Sequence, residues 1–248
     1  ASAVFPMHYG NEELFNHLQK DEAVDEERLA NMEVKFLSLL NKFGSARPQT
    51  LNRHLAEHPD FFCEVIRMLY RPRKEVDEEP EKEPEIDERT QRIAERAYRL
   101  LMDWDHPPGC MPDGSFDGNR LHQWAEDVKT KSLKTGHWEI ASYHIGEVLF
   151  YAPRDENGLW LESVCELLDS KEEPEYRRGL SIRIFNSRGV HGFSGGKEEI
   201  EPAEKWEEVA DQADSKGFSR LATTLRKLGK SYREESKRSV LEHRHRFD

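Results

Sequence analysis

The chain has 248 residues, enough to bury one large core or two modest ones. Charged residues make up 35% and hydrophobic residues 36% of it, a balance that suits surface-rich helical proteins and speaks against sandwiches and barrels. The formal charge of −12 excludes a protein whose whole surface meets nucleic acid, while leaving room for a local basic site.

Cys63, Cys110 and Cys165 are far apart and odd in number, so neither a disulfide framework nor a paired zinc motif can be drawn. They imply a reducing compartment. No run of about 18 apolar residues occurs, and no basic region leads into an apolar one at the start, so a soluble cytoplasmic protein with no membrane partner is expected. The chain opens at Ala1 with its first Met at position 7, which suggests a piece of a longer protein.

Residues 1–10 are apolar and irregular. A short helix is predicted from Asn11 to Lys20. A stronger one follows, with Leu29, Met32, Phe36, Leu39, Leu40 and Phe43 at helical spacing and Gly44 as its stop. Pro48 suits the first turn of a third helix, which carries Leu51 and Leu55 and closes near His58-Pro59. Asp60 is expected to cap a fourth, with Phe61, Phe62, Val65, Ile66 and Leu69 inward and Arg71-Pro72 as its end. Short connections make residues 1–72 a small N-terminal helical bundle.

Residues 74–88, KEVDEEPEKEPEIDE, hold nine acids, two lysines and two prolines, a net of 2 minus 9, or −7. Such a segment cannot bury enough apolar surface to order itself, so residues 73–88 read as a flexible acidic linker. Residues 89–248 then form a larger C-terminal antiparallel helical domain. Its apolar stripes are Ile93, Ala97, Leu100, Leu101 and Trp104; Leu121, Trp124, Ala125 and Val128; Ala141, Ile145, Val148 and Leu149; Trp160, Val164, Leu167 and Leu168; Trp206, Val209, Ala210 and Ala213; and Phe218, Leu221, Leu225, Leu228 and Tyr232. The fold class is all-α. Tryptophans on such stripes serve as core anchors.

Between the first two of these stripes, Asp103, Asp105, His106, Asp113, Asp117 and His122 could in principle gather around a divalent cation. Their spacing misses the calcium-loop pattern, and Asp-Gly turns plus a helix cap explain them better, so no metal or other cofactor is assigned. Phosphate-loop, nucleophile-elbow and paired-histidine zinc motifs are missing too. His243 and His245 would point about 200° apart on a helix, which chelates poorly.

Glu175 to Gly196, EYRRGLSIRIFNSRGVHGFSGG, is the least generic stretch. Read as a helix, it buries Leu180 and Ile184 and stops at Gly189, with Val190 folding back on Phe185. Leu180, Ile182 and Ile184 also alternate as in a strand, and helix is preferred. Arg177 and Arg188 would share one face of that helix, because eleven residues make about three turns. With Arg183 and His191 they form the candidate binding site. Guanidinium forks match a carboxylate or phosphate, and nearby Gly192, Gly195 and Gly196 let backbone N–H groups approach an anion. The alternative is that these arginines pair with neighbouring glutamates.

From Lys216 to Arg246 ten basic residues face three acids, ten minus three leaving +7. A nucleic-acid contact is therefore an alternative function, although the aromatics Phe218 and Tyr232 belong to the apolar stripe. A phosphate-ester enzyme is a second alternative, which would require the Asp103 to His122 loop to converge with the arginines.

The segments FNSRGV, GFSRLATTLRKLGKSYREES and HIGEVLFYAP, with the acidic break after the helix that ends in Tyr70-Arg71-Pro72, give residues 50–240 a resemblance. The chain resembles an α-helical C-terminal region of large bacterial multidomain proteins. That resemblance implies a bacterial cytoplasmic protein and a helical module working beside other domains, and it brings no catalytic residues with it. A non-enzymatic interaction or scaffold module, partnered by a protein or by other domains of a longer chain, is the expected function.

Limited proteolysis of the folded chain should cut first around Pro80 and Pro84, where exposed charged backbone has little to hold it. First cleavage between Ile93 and Trp104 would contradict the reading.

Overall fold

The structure, a computed structural model, describes residues 16–19, 24–37, 47–73, 87–187 and 197–247, with backbone alone for 197–200, 236 and 238–247. Its described residues are helical apart from turns and one isolated bridge between Arg154 and Trp160. Packing divides the chain into two compact units, Ala1–Cys110 with Gln123–Ala141, and Met111–His122 with Ser142–Asp248.

In the first unit, α1 spans Glu26–Phe36, where Asp25 accepts the Arg28 N–H at 2.8 Å and so caps the helix. The predicted continuation to Phe43 and Gly44 lies outside the described residues, as does most of the Asn11–Lys20 helix. Helix α2, Gln49–Glu57, begins one residue later than expected, because Pro48 is its N-cap rather than part of its first turn. A proline ring offers no acceptor to the orphan N–H groups behind it. Glu33 of α1 supplies one: its fully buried carboxylate accepts from the Thr50 and Leu51 N–H groups at 3.1 and 2.8 Å, and from the Gln19 amide at 2.9 Å. An isolated buried carboxylate would be costly, and three donors remove most of that cost.

Helix α3 runs Pro59–Leu69 with His58 at the N-cap, so Asp60 is not the cap that its type suggested. Pro59 has the fixed φ that the first helical position wants, which moves Asp60 one residue inside, where it pairs with Lys131 at 2.6 Å. Helix α4, Glu88–Asp103, is capped by Asp87, which accepts the Thr90 N–H at 2.7 Å. Helix α5, Gly118–Lys134, and helix α6, Trp138–Leu149, each give residues to both units. The first unit's core centres on Phe62, Trp104 and Trp124, whose ring centroids lie 5.2–6.0 Å apart. Burying each such side chain contributes about 1.5–3 kcal/mol. Residues on both sides of the acidic run thus share one core. The run's residues 74–86 lie outside the described set.

The second unit adds α7, Glu162–Leu168; α8, Pro174–Asn186; α9, Lys197–Ser215; and α10, Ser219–Phe247. The central stretch is helix, not strand: Leu180 and Ile184 are buried while Ile182 between them is 41% exposed. It ends at Asn186 with Ser187 as C-cap, before Gly189. Helix α10 has Phe218 ahead of it, and Asp169 from the end of α7 accepts the N–H groups of Arg220 and Leu221 at 2.7 and 2.8 Å. Arg233 of α10 forks onto Glu207 of α9 at 2.7 and 2.5 Å.

Helices α6 and α8 cross with their backbones touching. A Cβ on Gly146 would run into the carbonyl of Tyr176, and a Cβ on Gly179 into the carbonyl of Tyr143, both far inside van der Waals contact. The two contacts are reciprocal, each built from a Tyr-x-x-Gly segment, Tyr143 to Gly146 and Tyr176 to Gly179. Only glycine lets backbones approach this closely.

Gly146→Ala and Gly179→Ala should each destabilise the chain by about 1–3 kcal/mol in urea unfolding, because neighbouring backbone cannot yield as a side chain would. Helix propensity alone predicts the reverse, a gain of about 1 kcal/mol. An unchanged or raised unfolding midpoint would contradict the crossing.

Candidate binding groove

One turn beyond the crossing, α6 ends and the chain turns through Phe150, Tyr151 and Ala152 towards Arg154. These residues, Ile184 of α8 and its C-cap Ser187, and Glu201, Pro202, Lys205 and Trp206 of α9 line an open groove of about 770 Å³ within the second unit. That volume falls in the range of about 300–1,000 Å³ usual for ligand sites.

Arg154 forms the groove's most distinctive wall. Its guanidinium carbon lies 4.2 Å from the ring centre of Trp160 and 5.3 Å from those of Trp206 and Phe150. Trp160 and Trp206 are stacked at 6.0 Å and are 1% and 6% exposed, so the cation rests on a buried aromatic base. It donates to the carbonyls of Gly158 at 3.5 Å and Phe150 at 3.3 Å, both long for hydrogen bonds. Among the described residues no carboxylate pairs with it. Burial lowers its pKa, since the charged form loses water that its neighbours replace only in part.

Of the sequence-derived candidates, Arg177 does structural work away from the groove. It donates to the carbonyls of Leu168 and Ser170 at 2.7 and 2.5 Å and thereby closes the C-terminal end of α7. Burial lowers its pKa as well. Arg183 touches the lining residue Tyr151: its guanidinium stands 4.9 Å from the Tyr151 ring centre, and its Nε donates to the Tyr151 hydroxyl at 3.1 Å. Arg188, His191, Gly192, Gly195 and Gly196 lie outside the described residues. Sequence reading missed Arg154 and Tyr151. The signal was a lone arginine between apolar Phe150-Tyr151-Ala152 and Trp160, without the helical spacing that the stripes display.

The acidic and histidine residues between 102 and 122 separate. Asp105 pairs with Arg47 and accepts from the Asn52 amide at 3.1 Å. Asp113 closes a turn onto Ser115 with Gly114 at φ +83°, Asp117 accepts the Arg120 N–H at 3.1 Å at the start of α5, and His122 approaches Glu166 at 3.2 Å. Among the described residues no group of three or more His, Cys, Asp or Glu could share a metal ion. Several bases of the C-terminal stretch meet acids of their own unit: Lys216 meets Asp155, Arg220 meets Asp169, Arg226 meets Asp211 and Asp214, and Arg233 meets Glu207. His243 and His245 side chains lie outside the described set. Among the described residues no helix is long and apolar enough to cross a membrane.

Because Arg177 satisfies two helix-end carbonyls, Arg177→Leu should lower stability by about 1.5–3 kcal/mol in chemical denaturation. An unfolding curve superimposable on that of the parent would refute this structural role.

Compared with known proteins, the chain matches no family model, no curated protein and no solved structure.

Proposed function

We propose that the chain is a non-enzymatic helical interaction module whose groove receives an acidic group from a protein partner. The observation that carries this reading is Arg154, a half-buried guanidinium on an aromatic base with no carboxylate paired to it among the described residues. A desolvated cation held only by ring faces and long carbonyl contacts gains most from an incoming anion, because the local dielectric is low and its donors are poorly used. Lys205 adds a second positive charge to the lining. Arg177 drops out of the anion-binding set, since its donors already serve the end of α7. Cys63, Cys110 and Cys165 are all free thiols, which suits a reducing compartment.

An end-blocked peptide with one glutamate among alanines, titrated at low ionic strength, should quench or shift tryptophan fluorescence saturably, with Trp206 lying in the groove wall. Arg154→Met should weaken that binding about tenfold or more, as for loss of a charge-assisted hydrogen bond. Arg154→Lys, which keeps the charge but not the fork, should fall between. Circular dichroism establishes that each variant is folded. Equal affinity in the parent and in folded Arg154→Met, or no saturable response at all, would defeat the proposal.

A further inference from the structure

Among the described residues, the charged groups that line the groove are Arg154 and Lys205 against Glu201, two cations minus one acid, or +1. Lys205 holds its amine 5.7 Å from the centre of the Trp206 ring, which Arg154 also approaches. Glu201 lies one helical turn before Lys205 on α9, so a ligand reaching the cations also meets a fixed negative charge. Phe150, Ile184 and Pro202 make the apolar wall, beside the hydroxyls of Tyr151 and Ser187. This is a poor site for a phosphate monoester, which brings about −1.5 to −2 charges near neutral pH and gains from clustered arginines. A single carboxylate leaves less repulsion with Glu201 and balances the net charge of the lining. The apolar wall then needs an apolar side chain next to that carboxylate.

Resting on the function proposed above, we infer that the groove selects a glutamate or aspartate flanked by apolar side chains in a partner's peptide segment, and that Glu201 rejects the phosphorylated equivalent. Glu201 is thus a specificity-determining residue, and Arg154 the anchor. The groove's volume admits a short segment, not a folded domain.

Fluorescence anisotropy with four labelled peptides tests this. In the first a glutamate sits between leucine and phenylalanine; the others replace the glutamate by glutamine, replace it by phosphoserine, or replace both flanking residues by glycine. The parent protein should bind the first peptide about tenfold tighter than the glutamine peptide, and clearly tighter than the other two. Glu201→Gln should raise affinity for the phosphoserine peptide about fivefold and erase the preference, since one repulsive charge is gone. Lys230→Gln, exposed on α10 at a distance in sequence from every lining residue, should behave like the parent. Tighter binding of the phosphoserine peptide to the parent, an unaltered preference in Glu201→Gln, or no loss with the glycine-flanked peptide overturns the inference while leaving an acid-binding groove. Equal affinity for the glutamate and glutamine peptides, or no binding, overturns both. An equal change in Lys230→Gln would show that bulk charge, not the groove, sets the preference.

Discussion

The backbone contact between α6 and α8 at Gly146 and Gly179 is the constraint on which the second unit rests. Two helices normally stand 8–10 Å apart because side chains keep them there. Here the side chains are missing from both faces at the contact, and each glycine receives the carbonyl three residues before the other. That fixes depth and register together. Tyr151 follows Gly146 by five residues and Arg183 follows Gly179 by four, so both emerge about one turn beyond the crossing and meet through the phenol. The groove wall is a consequence of that meeting, and Arg154 enters where the chain leaves α6.

A second theme is the capping of helices by carboxylates remote in sequence. Glu33 serves α2 and Asp169 serves α10, each where the residue ahead of the helix, Pro48 or Phe218, has no acceptor to offer. Such caps do more than satisfy orphan N–H groups. They tie the start of one helix to another element and favour the positive end of its dipole with a negative charge. Arg177 does the converse job at the end of α7, donating to carbonyls instead of accepting from amides.

The helical class was legible because the apolar stripes recur at helical spacing, and the buried Trp104, Trp124, Trp160 and Trp206 lie on those stripes. Local caps were legible where the capping group is adjacent in sequence, as with Asp117 ahead of α5. Asp60 misled because proline's preference for the first helical position outranks aspartate's preference for the cap. The remote caps could not be read, since nothing in the sequence around Glu33 or Asp169 says which helix each will reach. The paired Tyr-x-x-Gly segments were visible as text, yet glycine within a helical pattern carries no sign of its partner. The role of Arg177 was hidden for the same reason: fork chemistry suits backbone carbonyls as well as anions. Arg154 was hidden because its surroundings are assembled from three separate elements.

The central question is which arginine meets an acid. Nuclear magnetic resonance of the guanidinium Nε–Hε groups, followed while the glutamate peptide is added, resolves them individually. Saturable movement of the Arg154 signal with a stationary Arg177 signal is the result predicted. Movement confined to Arg177, or no movement of any guanidinium at saturating peptide, would contradict it.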